Sequence, residues 1–197
     1  RMAERYDIVR GVHDKRYLYI RNYMPHLTYT QHISYTYQMP TMQAWDKLYR
    51  QGRLTGPASL WFRPTKPLEE LFDTLADPHQ IHDLAHDPKY RSVLQRMRND
   101  HLQWIAQTRD MGFLPEHEQE LRSAGSTPWK MALDPNEYPQ ERILAAADLT
   151  GRGPQELPKL IDLLADDDAA VRYWACVGLE VLGLQAKSAQ PLLVDAL

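Results

Sequence analysis

Four side chains in the first third of the sequence have the chemistry to hold an anion. His26, His32, Arg63 and Lys66 lie in a loop-rich stretch, and their neutral or cationic N–H groups suit charge-assisted hydrogen bonds to an oxyanion. Tyr29, Tyr35 and Tyr37 share that stretch and can stack on a ligand ring or pack on neighbouring protein. The competing reading of each is interdomain packing and solvated charge. His79, His82 and His86 are spaced by three and four, which on one helix would present a zinc-binding face. Pro78 and Pro88 bracket them, however, so a turn region without a metal is expected. Cys176, followed by Val177-Gly178-Leu179 in an alanine-rich run, reads as a small core residue and not a reactive thiol. Arg10, Arg16 and Arg21 are expected to face solvent, paired with nearby acids. No catalytic and no metal-ligating residue is expected within the chain.

The composition bounds these readings. In 197 residues, 43% are hydrophobic and 25% charged, an ordinary balance for a chain that buries a core. The net charge of -3 speaks against general nucleic-acid binding. The lone cysteine excludes an internal disulfide without fixing the redox compartment. There is no apolar run long enough for a membrane span. The opening Arg1-Met2-Ala3-Glu4-Arg5 is polar and lacks a signal-peptide core, so the chain is expected to be part of something longer.

Elements that could position the loop residues follow from periodicity. Tyr6–Val12 and Tyr17–Tyr23 alternate around the polar turn 13–16, which predicts an antiparallel hairpin. A lone hairpin is marginal in water, and Glu70–Asp73 is expected to supply a third strand. Residues 24–40 read as a surface loop. Thr41 is expected to cap a short helix through Tyr49, ended by Gly52. Pro57, Pro64 and Pro67 are expected to keep the next segment extended. Asp87 followed by Pro88 predicts a helix start. That helix should run to about Thr108, burying Tyr90, Val93, Met97, Leu102, Trp104 and Ile105, with Arg91, Gln95, Arg98 and Asn99 in water.

Three units are expected: 1–118 as a small sheet with its helix, 119–136 as a proline- and glycine-marked linker, and 137–197 as an all-helical array. The last contains an internal repeat. Pro158–Leu164 aligns with Pro191–Leu197 at an offset of 33, and Arg142–Ala146 with Arg172–Cys176 at an offset of 30. Such periods point to stacked helix pairs. Asp166-Asp167-Asp168 punctuates one pair. With Asp168 in the turn and Val171-Arg172 on the second helix, the unit resembles a HEAT repeat, truncated at the end of the chain. The fold class is thus α+β, a small antiparallel sheet packed with a long helix, followed by a HEAT-like solenoid.

Residues 6 to about 118 resemble the C-terminal subdomain of the type I sulfatases, nearest the heparan N-sulfatase-like group. The resemblance is carried by Asp7–Arg10 through Lys15–Arg21, and by Lys66-Pro67-Leu68-Glu69-Glu70-Leu71-Phe72-Asp73, similar to KPxEELYD. Asp77-Pro78 with Asp83-Leu84-Ala85 is similar to DPxExxNLA. Asp87–Tyr90, the helix from Leu94 to Trp104 and Thr108–Glu116 complete the series. Phe72 stands where tyrosine is usual, Gln80 where glutamate is usual, and His82-Asp83 where an asparagine often precedes the leucine. No single motif is strong; their order and spacing carry the resemblance.

That resemblance implies a large upstream α/β catalytic domain, absent here, that would carry a formylglycine made from a C/S-x-P-x-R motif and a calcium ion. It also implies an exported, periplasmic or secreted bacterial parent. The chain itself is expected to hold no cofactor, to close the structure of the parent, and to lend His26, His32, Arg63 or Lys66 to a sulfated glycan. Ser126-Thr127-Pro128-Trp129-Lys130 nearly matches the maturation motif, but Lys130 replaces the required arginine and the site follows the subdomain, so a turn is expected. The alternative is a non-catalytic interaction module whose working part is the helical array and its protein partner. A degenerate relative that binds sulfated glycans without cleaving them is a third.

Overall fold

The computed structural model describes residues 5–195, the side chains of Val194 and Asp195 excepted. Ala196 and Leu197, the end of the second repeat copy, lie outside the described residues, as does the polar opening 1–4. Strands β1 (Val9–His13), β2 (Tyr17–Asn22) and β3 (Glu69–Asp73) form an antiparallel sheet in that order. Gly11 pairs Ile20 across the hairpin, and Tyr19 pairs Leu71 on the other side. The hairpin and its third strand thus stand where the alternation put them. Asp14 tightens the turn by accepting the Arg16 and Tyr17 N–H groups.

Between β2 and β3 the chain is more helical than its prolines imply. Helix α1 (Pro40–Arg50) starts one residue before Thr41, with Met39 at its cap and no capping side chain, so Thr41 is not the cap. Pro40 at the first helical position needs no N–H there. Gly52, at φ +65°, closes the far end by donating to Tyr49 O. Pro57 does not extend its segment: it opens a single helical turn, α2 (Pro57–Leu60), after Gly56.

Helix α3 (Arg91–Thr108) follows a 3-10 turn over Pro88–Tyr90, where Asp87 accepts the Lys89 N–H as its sequence implied. Its buried stripe is Met97, His101 and Ile105. Trp104 falls at the edge of that stripe and remains 46% exposed, contrary to expectation. Arg98 is also not simply solvated. Its guanidinium forks onto both oxygens of Glu69 at 2.6 Å, and Tyr19 Oη donates to the same carboxylate at 2.6 Å. Burial works against the charge on Glu69, but these donors outweigh it and hold its pKa below the usual carboxylate value.

The face of β2 that α3 covers is the one bearing Tyr19 and Arg21, not the aliphatic Leu18 and Ile20. Arg21 was expected in water and is instead 1% exposed. It has partners that water would otherwise supply. Nη1 donates to the Asn22 and Leu68 carbonyls at 2.9 and 3.3 Å, and Nη2 to those of Thr150 and Asp148 at 3.0 and 3.2 Å. The last two end helix α6 (Gln140–Asp148), whose terminal carbonyls lack intrahelical donors and favour a cation. The guanidinium also lies 4.8 Å from the Tyr23 ring centroid. Burial lowers its pKa, yet a guanidinium stays charged in proteins. The expected pairing with acids holds for all three: Arg10 with Asp110, Arg16 with Asp73, and Arg21 with Asp148, whose Oδ1 lies 3.6 Å from Nη2.

One buried cluster draws on stretches of the chain from Ile8 to Val177. Ile8, Tyr23 and Met24 meet Ile105 and Phe113 of the middle stretch and Met131, Ile143, Val171 and Trp174 further on. Met131 belongs to helix α5 (Pro128–Leu133), which with α4 (Glu116–Arg122) occupies the proline-marked stretch. Trp174 lies on α8 (Ala169–Leu182), and its Nε1 donates to Phe113 O at 2.8 Å. Helices α6, α7 (Leu157–Asp162), α8 and α9 (Gln190–Asp195) make up the rest, so the C-terminal stretch is helical as its pattern implied.

Two outcomes are expected from this packing. Arg21→Ala removes its bonds to the Asn22 and Thr150 carbonyls, one of two donors at Leu68 O and Asp148 O, and the ion pair to Asp148, and should cost about 3–5 kcal/mol in urea denaturation. Arg21→Lys should recover less than half of that, because one ammonium cannot span both pairs of carbonyls. A loss below about 1 kcal/mol would show that water replaces the guanidinium.

His101 generates the second. Its ring is 1% exposed, and its Nε2 lies 3.0 Å from Tyr23 Oη. Burial, with Arg21 beside it, lowers its pKa to about 4. The unfolded chain takes up that proton near about 6.5, so between these values the unfolded state binds more protons. Stability should therefore fall as pH drops from about 6.5 to about 4, by on the order of 3 kcal/mol. His101→Gln should flatten that slope in pH-dependent denaturation.

Candidate functional site

The covered face of the sheet is spent on α3, and the opposite face opens into a cleft of about 540 Å³. Its floor consists of β2 and β3 side chains of one alternation, Ile20 and Asn22 with Glu70 and Phe72. One wall carries Tyr29, Trp61, Arg63 and Pro67; the other is the turn from His79 to Asp83. That turn is braced by Asp77, whose carboxylate accepts the Ile81 and His82 N–H groups at 2.7 Å each. His79, His82 and His86 are all exposed on this non-helical segment, so their spacing does not produce a shared helical face.

The aromatic wall is held in place by polar bonds. Tyr29 Oη donates to Glu70 Oε1 at 2.5 Å, and the same oxygen accepts from Asn22 Nδ2 at 2.8 Å. Burial and the bond to Glu70 push the Tyr29 pKa well above that of a free phenol. Trp45, on α1, donates its Nε1 to Ala58 O at 3.0 Å. The Tyr29 and Trp61 rings lie within 13° of parallel at 6.0 Å, and the Trp45 and Trp61 rings within 13° at 6.2 Å.

The four expected anion-binding residues part company. Arg63 lines the cleft and is exposed, with no hydrogen bond or ion pair from its side chain among the described residues. Lys66 is 5% exposed and paired with Asp7, with Nζ 5.8 Å from the Tyr29 ring centroid, so its charge is committed inside the fold. His26 faces α8, 3.7 Å from Glu180. His32 is exposed against the Tyr37 ring at 4.4 Å. Trp45 and Trp61 were passed over in the sequence; their nearness to Arg63 and to the proline-rich run was the available signal.

Several acids among the described residues are committed to arginines. Asp73 is bound to Arg16, Asp110 to Arg10, Glu69 to Arg98 and Asp168 to Arg122. Among the described residues no group of three or more His, Cys, Asp or Glu is arranged to hold a metal. These residues therefore do not fit the oxygen cage that calcium requires. Thr127, in the near-match to a maturation motif, accepts the Lys130 N–H at 3.2 Å and caps α5. Among the described residues no helix is long and apolar enough to cross a membrane.

No family model matches the chain. It is similar to two proteins of Formosa agariphila, each named an ulvan-active sulfatase. One is 41% identical over 112 residues, 57% of this chain and 19% of the relative. The other is 27% identical over 96 residues, 49% of this chain and 17% of the relative. The chain contains a sulfatase-related region, and it spans less than a fifth of the length of these relatives.

The Lys66–Asp7 pair separates structural charge from ligand-binding charge. Lys66→Met leaves Asp7 without its partner and should cost about 2–3 kcal/mol, somewhat under the range for a fully buried pair because Asp7 is partly exposed. Adding Asp7→Leu should restore part of the loss. Chemical denaturation of the single and double variants checks this; additive losses would mean the two charges are independent.

Proposed function

We propose that this chain is the C-terminal, non-catalytic portion of a sulfatase that hydrolyses sulfate esters or N-sulfate groups. The 41% identity to an ulvan-active sulfatase over 112 residues carries the reading. The order of the motifs from Asp7 to Glu116 supports it. In this reading the nucleophilic formylglycine and the calcium ion belong to an upstream catalytic domain. The carboxylates committed to arginines in this chain are consistent with that division of labour. The parent is periplasmic or secreted, and ulvan, from the relatives' names, is the first substrate to try.

The helices after residue 137 are read as HEAT-like repeats that pack on the parent or offer a surface to a protein partner. Three local features support this. Asp168 caps α8 by accepting the Ala170 and Val171 N–H groups. Arg172 reaches back to the Asp166 and Asp167 carbonyls at 2.8 and 3.1 Å. Gly178 of α8 lets Leu160 of α7 approach so closely that a Cβ there would stand 2.5 Å from Leu160 Cδ2.

The test is sulfate release from ulvan by the full-length parent and by the 197-residue chain. The parent should release sulfate and lose that activity to a calcium chelator; the chain alone should release none. Turnover by the isolated chain would overturn the division of labour. A parent lacking a C/S-x-P-x-R motif upstream of residue 1, and inactive, would favour the interaction module.

A further inference from the structure

The cleft on the open face of the sheet brings together three features that nothing in the sulfatase reading requires. Trp45, Trp61 and Tyr29 form a run of near-parallel rings, of which Trp61 is 44% exposed at the cleft wall. Arg63, two residues further on, brings an uncommitted guanidinium to the same wall. The carboxylate beneath them, Glu70, is already engaged by Tyr29 and Asn22. On the opposite wall, Asp83 Oδ1 accepts the Leu71 and Ala85 N–H groups at 3.0 and 2.9 Å.

We infer that this cleft is a binding subsite for an anionic saccharide, with a sugar ring against Trp61 and its sulfate or carboxylate on Arg63. The C–H face of a pyranose carries a slight positive charge and packs on the electron-rich face of an indole. A guanidinium offers two parallel N–H donors at the spacing of an oxyanion's oxygens. The hydrogen bonds of Trp45 and Tyr29 fix those rings before any ligand arrives, which lowers the ordering cost of binding. The volume, about 540 Å³, is in the range of small-ligand sites. That the anion is a sulfate rests on the proposed function; that the ligand is an anionic sugar rests on the cleft.

The test uses the 197-residue chain and three probes: a heparin-derived tetrasaccharide, its fully desulfated counterpart with the uronic carboxylates reduced to alcohols, and adenosine monophosphate, which also combines a stacking ring with an anion. The indole N–H signals of Trp45 and Trp61 are followed by NMR. The sulfated tetrasaccharide should shift both signals and bind at least about tenfold more tightly than the desulfated one, the worth of one charge-assisted contact. Arg63→Gln, an exposed change, should bring the sulfated probe down to the desulfated level. Trp61→Ala should abolish both interactions, and Trp61→Phe, which keeps a ring, should retain part of them. The inference is overturned by tetrasaccharide shifts confined to other residues, by sulfated binding unchanged in Arg63→Gln, or by equal binding of the nucleotide. Binding by this chain beside an inactive parent would keep the subsite and remove the sulfatase reading; an active parent beside a chain that ignores the sugar would do the reverse.

Discussion

The guanidinium of Arg21 is the contact on which the arrangement depends. It sits on the middle strand, where its backbone is fixed by two neighbours, and its side chain ends at the carbonyls that close α6. A charge placed there without those acceptors would cost several kcal/mol. The sheet and the C-terminal helices therefore do not merely touch; each supplies what the other's buried polar groups lack. Thr150 extends the same logic, donating its hydroxyl to Tyr23 O at 2.9 Å. With α3 and α6 fixed to one face of the sheet, the opposite face is left to form the cleft.

This division of faces explains what the sequence could and could not reveal. The hairpin, the third strand and the long helix were legible because alternation and proline-marked starts are local signals. The inner face of β2 was not. Leu18 and Ile20 look like core residues, and Tyr19 and Arg21 look amphipathic at best. Which pair is covered depends on Glu69, Arg98 and the α6 carbonyls, all remote in sequence. The same remoteness hid the commitments of Lys66 to Asp7 and of His26 to the vicinity of Glu180. Arg63 lines the cleft, and the indoles beside it were overlooked because Trp45 is on a short helix that buries none of its residues and Trp61 follows a single helical turn.

Polar bonds from side chain to backbone recur wherever separate stretches of the chain meet. Arg109 donates to the Ala132 and Tyr138 carbonyls, Gln140 to Ile105 O, and Trp174 to Phe113 O. Each adds a donor to a carbonyl at a turn or near a helix end, and those of Ile105 and Tyr138 accept a backbone N–H as well. Such contacts demand an angle and a distance that apolar packing alone does not, so they fix how the helices lie on one another. The chain from Phe113 to Tyr138, for all its prolines, is held at three of these carbonyls, those of Phe113, Ala132 and Tyr138.

Arg109 shows what that implies for the identity of a single residue. It ends α3 in the left-handed conformation, φ +51°, where glycine would relieve the backbone. Selecting glycine would ease the local torsion while deleting two long-range bonds, at 2.6 and 2.9 Å. Substitution at this position is therefore a contest between nearby comfort and distant attachment, and related chains free of that attachment should drift to glycine or asparagine there.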